Sequence, residues 1–167
     1  MALSQIIERI ITPTVEGMGY ELVRLTVSGG QRKTLQVMAE PKDGRKMDFL
    51  TAARSVDLLL AAGAARERVN IVFFGGEPLS NVALIKQVVG YAETAAERAG
   101  KHMDFSMTTN ATLLTPALID YFDEHRFGIS VSINGPKDIH DRHRKTVGGR
   151  GTYEVVARKV GVLLVLA

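Results

Sequence analysis

Three short polar segments, each directly after an apolar run, hold the residues best suited to chemistry. Gly75-Gly76-Glu77-Pro78 follows Ile71 to Phe74, Thr109-Asn110-Ala111-Thr112 follows Phe105 to Thr108, and Asn134-Gly135-Pro136 follows Gly128 to Ile133. Adjacent glycines let a backbone come close to a ligand and turn N–H and C=O groups toward it, as the amino-acid part of a bound cofactor requires. Glu77 offers a carboxylate to an ammonium. His140, Asp141 and His143 are metal-capable, but no further ligand at a recognisable spacing accompanies them, and a solvated loop is the plainer expectation. Gly148-Gly149-Arg150-Gly151 lacks Walker spacing and a directly preceding strand, so a flexible lead into the next helix is expected there. The chain contains no cysteine, which excludes disulfides, cysteine-bound metals and thiolate-held clusters.

Those segments need a scaffold, and the periodicity supplies one. Leu3, Ile6, Ile7, Ile10 and Ile11 make one stripe of an amphipathic helix that Pro13 kinks or ends, with Val15 and Met18 continuing the spacing to Gly19. Tyr20 to Val27 and Thr34 to Ala39 suit two strands joined by a turn at Gly29-Gly30, and Glu40 to Lys46 reads as a loop or junction. From Asp48 onward the rhythm becomes helix at Leu50 to Ala62, strand at Ile71 to Phe74, helix at Val82 to Ala99 and strand at Phe105 to Thr108. A helix at Pro116 to His125 capped by Thr115, a strand at Gly128 to Ile133 and a helix at Tyr153 to Leu164 follow. Such alternation predicts an α/β fold of parallel strands with right-handed crossovers. In that layout ligands bind at the carboxyl ends of the strands, where the three polar segments fall.

Composition narrows the classes. The chain has 167 residues, of which 46% are hydrophobic and 23% charged, which is ordinary globular usage and argues against disorder or a fibrous repeat. A net charge of +3, with +2 of it in residues 1 to 47, gives no basic domain that would imply a nucleic-acid partner. No apolar run approaches the roughly 18 residues of a membrane span, the N-terminus has no signal-peptide core, and the cytoplasm is the expected location.

Residues 47 to 164 resemble the radical S-adenosylmethionine (SAM) enzymes of the peptide-maturing, SPASM-containing branch, in particular the maturases of quinohemoprotein amine dehydrogenase and then the anaerobic sulfatase maturases. The likeness lies in Asn70-Ile71-Val72-Phe73-Phe74-Gly75-Gly76-Glu77-Pro78-Leu79, in Thr108-Thr109-Asn110-Ala111-Thr112-Leu113-Leu114, and in Ser130-Val131-Ser132-Ile133-Asn134-Gly135-Pro136 followed by His140-Asp141 and Arg144. It implies a partial (β/α) barrel of the radical SAM type with parallel strands, preceded by the N-terminal helix and β-hairpin. It also implies S-adenosylmethionine as cofactor, with Gly75, Gly76, Glu77, Pro78, Asn110, Ser132 and Arg144 as the binding residues. Within that set, the glycines face the methionine part, while Ser132 and Arg144 match the positions that bind its carboxylate. Two departures stand out. The family's CxxxCxxC cluster motif, due upstream of the helix near Asp48, has no counterpart, so no iron–sulfur cluster and no radical catalysis are expected from this chain. Asn134 stands where the family usually has aspartate. The later barrel strands are also missing, which leaves open sheet edges and an expectation of self-association.

Residues 1 to 46 resemble a different family, the N-terminal part of the ribosome maturation factor RimP, through Ile11-Thr12-Pro13-Thr14-Val15-Glu16-Gly17-Met18-Gly19-Tyr20-Glu21-Leu22-Val23 and Arg32-Lys33-Thr34-Leu35-Gln36-Val37. That resemblance implies the small ribosomal subunit as a partner of residues 1 to 46, although Arg32 and Lys33 also suit ordinary solvated charge. The chain then reads as a mosaic of two parts, 1–46 and 47–167, with its seam at Lys46 and Met47. On this view the Thr34 to Ala39 strand stands in for the missing first barrel strand, with Val37 paired in parallel beside Ile71 to Phe74. Three functions follow as alternatives: a SAM-binding maturase-like domain without radical chemistry, a ribosome-assembly module, and a scaffold or design without activity.

Overall fold

The computed structural model describes residues 3–17, 19–28, 34–42 and 47–166, in two compact units, Met1–Arg54 and Ser55–Ala167. The Gly29-Gly30 turn, Arg32, Lys33 and the Lys46 side of the expected seam lie outside the described residues.

The first unit opens with helix α1, Leu3–Gly17, which continues through Pro13 instead of ending there. Gly19, at φ +83°, takes the left-handed turn that leads into strand β1, Tyr20–Ser28. Strand β2, Thr34–Pro41, returns antiparallel, and its register shifts between Leu22 and Arg24, where one residue bulges. Val15 and Tyr20 are buried in this unit. Val37 pairs with Leu25, and β1 and β2 form a two-stranded sheet of their own. The expectation that the Thr34 to Ala39 strand lies in parallel beside Ile71 to Phe74 is therefore overturned. A short connection returns a strand antiparallel to its predecessor, whereas a parallel pairing needs a long crossover. Helix α2, Phe49–Ala62, begins with Asp48 Oδ1 accepting from the Thr51 N–H at 2.8 Å.

In the second unit, strands β3 (Arg68–Phe73), β4 (His102–Thr109) and β5 (Phe127–Val131) form a parallel sheet in the order β3-β4-β5. Helix α3, Val82–Arg98, and helix α4, Pro116–Glu124, make the two crossovers. Right-handed crossovers place both helices on one face of the sheet, and the burial pattern agrees. Val69, Phe105, Met107 and Thr109 point to that face and are buried. The Phe105 and Phe127 rings stack there at 5.2 Å, with Phe122 of α4 at 4.8 Å from Phe127. The opposite face is mostly polar, with Val72 exposed among polar neighbours. The Arg68 guanidinium donates to both oxygens of Asp104, at 3.0 and 2.5 Å, and Asn70 Nδ2 donates to Ser106 Oγ at 3.1 Å. This explains why β3 begins at Arg68, ahead of the apolar run: its outer half alternates polar and apolar residues.

Two joints hold the helices in place. The Lys101 ammonium donates to the carbonyls of Gly63, Ala64 and Arg66, at 2.9, 2.9 and 2.6 Å, and so closes the chain leaving α2 against the start of β4. Thr115 caps α4 as its spacing predicts, accepting from the Leu118 N–H at 3.3 Å with Pro116 in the first turn. Past the end of α4, Arg126 takes φ +54°, a conformation suited to glycine. Arg126→Gly is expected to stabilise the protein by about 0.5–1 kcal/mol. A urea melt in which this variant unfolds earlier than the parent would show that Arg126 bears no strain.

Candidate functional site

Parallel register carries the carboxyl ends of all three strands to one edge: Phe73 sits level with Met107 and Ile129, and Thr109 with Val131. From that edge emerge the Gly75-Gly76 turn, the Asn110 loop and the segment from Ser132, whose N–H donates to the Thr109 carbonyl at 2.9 Å. The three polar segments are therefore neighbours, as the α/β layout predicts.

Glu77 binds two of these segments together. Its Oε1 accepts from the Leu79 N–H at 3.0 Å and from the Thr109 hydroxyl at 2.6 Å, while Oε2 accepts from the Asn110 N–H at 2.8 Å. The Leu79 bond starts a 3-10 turn, Pro78–Asn81, that feeds α3. Having donated to Glu77, Thr109 Oγ1 accepts from the Ala111 N–H at 3.0 Å. Asn110 Oδ1 accepts from both the N–H and the hydroxyl of Thr112, at 2.9 and 2.7 Å. These bonds hold Ala111 at φ +59°. The carboxylate expected to face a ligand ammonium thus serves the chain itself. Gly75 and Gly76 remain exposed, and a Cβ built on either would meet nothing within 4 Å. Their backbone is open to a ligand.

The third segment leads into a compact bracket. Helix α5, Lys137–His143, is a short helix where a loop was expected, and it buries His140 completely. The solvated-loop expectation fails at His140 because both ring nitrogens find partners: Nδ1 accepts from the Asn134 N–H at 3.3 Å, and Nε2 pairs with Thr152 Oγ1 at 3.0 Å. That pattern assigns the Nε2–H tautomer. Asp141 Oδ1 accepts from the Tyr153 N–H at 2.9 Å at the start of helix α6, Tyr153–Leu166, and His143 is exposed. The three do not converge, and among the described residues no group of three His, Asp or Glu side chains is arranged to hold a metal.

The expected flexible lead at Gly148 to Gly151 is also corrected. The Thr146 N–H donates to the Arg150 carbonyl and the Gly149 N–H to the Thr146 carbonyl, both at 2.8 Å, and Lys145 bridges Gly151. Gly149 takes φ +80°, and a Cβ at Gly151 would collide with the Asp141 carboxylate. Gly149 thus serves a left-handed turn and Gly151 a close approach. Lys159 of α6 donates to the Thr112 carbonyl at 2.6 Å, tying the helix to the Asn110 loop, and burial pushes its ammonium pKa down.

Arg144, half-buried, donates from Nε to Asn134 Oδ1 at 2.8 Å. Its terminal guanidinium nitrogens and the Ser132 hydroxyl have no partner among the described residues. Separately, a concavity of about 520 Å³ is lined by α2 and α3, but there the Tyr91 hydroxyl donates to Asp57 Oδ1 at 2.7 Å instead of facing a ligand. Thr109 was noted only as part of its loop, and Thr152 and Lys159 were not singled out by sequence. Their roles come from pairings 32, 12 and 47 residues away, which no local pattern announces.

A parallel sheet with helices on one face and a glycine turn, an asparagine loop and a serine segment at its carboxyl edge defines a partial β/α fold of the ligand-binding kind. The chain belongs to the radical SAM superfamily, whose family model matches residues 23–163. An uncharacterized protein of Methanocaldococcus jannaschii is 29% identical over 136 residues, covering 81% of this chain and 45% of its own length. The serine-type anaerobic sulfatase-maturating enzyme of Klebsiella aerogenes is 32% identical over 120 residues, covering 71% of this chain and 29% of the enzyme. Among solved structures, native anSMEcpe with bound AdoMet and Cp18Cys peptide superposes with a TM-score of 0.65 at 24% identity, over 72% of this chain and 33% of that one. The chain thus spans less than half the length of these relatives. No helix among the described residues is long and apolar enough to cross a membrane.

Proposed function

We propose that this chain is a SAM-binding segment of the peptide-maturing radical SAM type, and that it does not itself run radical chemistry. The observation that carries the reading is the shared edge on which the open Gly75-Gly76 backbone, the Ser132 hydroxyl and the Arg144 guanidinium have binding groups to spare. These fit an amino-acid moiety: backbone groups of the glycine turn for its ammonium, Ser132 and Arg144 for its carboxylate. Glu77, Pro78 and Asn110 shape that edge. S-Adenosylmethionine supplies a sulfonium whose carbon–sulfur bond breaks when one electron arrives. The donors for a cluster that delivers such an electron are not in this chain, because no residue is a cysteine. Relatives named as sulfatase-maturating enzymes support a peptide as the substrate class, and the sequence likeness to quinohemoprotein amine dehydrogenase maturases points to the same branch. A cytoplasmic setting suits this reading. A ribosomal partner for residues 1–46, and their status as a separate part, rest on sequence resemblance alone, and the radical SAM family model already takes in residues 23–46.

Calorimetric titration with S-adenosylmethionine tests the proposal. Saturable binding is expected, weakened about tenfold or more by Arg144→Met and less by Ser132→Ala. No heat of binding in the parent protein would refute it.

A further inference from the structure

Arg144 is held from three directions by residues that themselves meet at one buried ring. Its N–H donates to the His140 carbonyl at 2.8 Å, and its own carbonyl accepts from the Thr152 hydroxyl at 3.0 Å and the Thr152 N–H at 3.2 Å. Its side chain is anchored through Nε to Asn134 Oδ1 at 2.8 Å, and Asn134 is in turn fixed by its N–H bond to His140 Nδ1. The circuit closes because the His140 Nε2–H donates to Thr152 Oγ1, leaving the Thr152 hydroxyl proton for the Arg144 carbonyl. His140 is wholly buried and Thr152 is 7% exposed, so a missing member would leave the others unsatisfied away from water. Such rigidity exceeds what a surface arginine needs, and the guanidinium ends it leaves free are the groups able to grip an anion. Asn134 adds a further property: its neutral oxygen steadies Nε without opposing the positive charge.

We propose that His140, Thr152 and Asn134 are positioning residues for Arg144, which together preset its guanidinium to select ligands carrying a carboxylate. The inference rests on the reading of this edge as a SAM site. It distinguishes a preset arm from an arginine that merely attracts anions. A preset arm discriminates by geometry, so loosening it erodes the preference for a carboxylate more than it erodes overall binding.

The test compares calorimetric affinities for S-adenosylmethionine and its decarboxylated analogue. The parent protein is expected to favour the carboxylate-bearing form by tenfold or more. Thr152→Val is expected to reduce that ratio to about one while Thr152→Ser keeps it, since serine retains the hydroxyl. Asn134 is exposed, so Asn134→Ala keeps the fold and supplies a second probe. It is expected to lose the preference. A parent that binds neither compound overturns the SAM-site reading and this inference with it. A parent that discriminates, together with an Asn134→Ala or a folded Thr152→Val variant that discriminates equally, overturns the inference alone.

Discussion

Glu77→Ala is expected to cost roughly 3 kcal/mol of folding stability, with the loss of ligand binding that follows from a loosened edge. Three donors converge on this carboxylate, from Leu79, Thr109 and Asn110. Bonds to a charged acceptor contribute about 1.5–3 kcal/mol each when well buried, and Glu77 is half-buried, so their simple sum is discounted. Alanine leaves the Asn110 N–H without its acceptor and frees the Thr109 hydroxyl that orders Ala111. Glu77→Gln keeps one acceptor oxygen but turns an amide toward donors, and about half the loss is expected. Urea unfolding reads both. A Glu77→Ala midpoint within error of the parent would mean that the two loops are held by something other than this carboxylate.

Gly151→Ala is expected to destabilise by about 2 kcal/mol, although replacing a glycine normally gains a fraction of a kilocalorie through the unfolded chain. The new methyl collides with the Asp141 carboxylate, which must swing away and abandon the Tyr153 N–H at the start of α6. A double-mutant cycle isolates the cause: in an Asp141→Ala background the same substitution is expected to be close to neutral. Additive losses in that cycle would show that the glycine matters for another reason.

The order of helices and parallel strands from residue 49 onward was legible because each element carries its own period. The helix at Pro116 could be placed from Thr115 and proline alone, and the three loops were located from the residues that end each apolar run. The start of β3 was not legible in the same way. Arg68 and Asn70 look like loop residues until Asp104 and Ser106 are set beside them, and that partnership spans 36 residues. Helix α5 escaped because seven residues with one buried position show no helical repeat, and its burial depends on Thr152. Glu77 drew notice for its carboxylate beside the glycines, but which way its oxygens turn depends on β4. The pairing of the Thr34 strand with the Tyr20 strand was legible, but its added pairing beside Ile71 to Phe74 was wrong, because pattern identifies a strand without naming a distant neighbour.

The cross-strand pairs Arg68–Asp104 and Asn70–Ser106 have a colloidal consequence. Water can rest on these pairs at little interfacial cost, and they flank the exposed Val72 on the same side of the sheet with charge and amide. Greasy grafts there, Ser106→Leu for one, would convert a benign wet surface into a seed for precipitation.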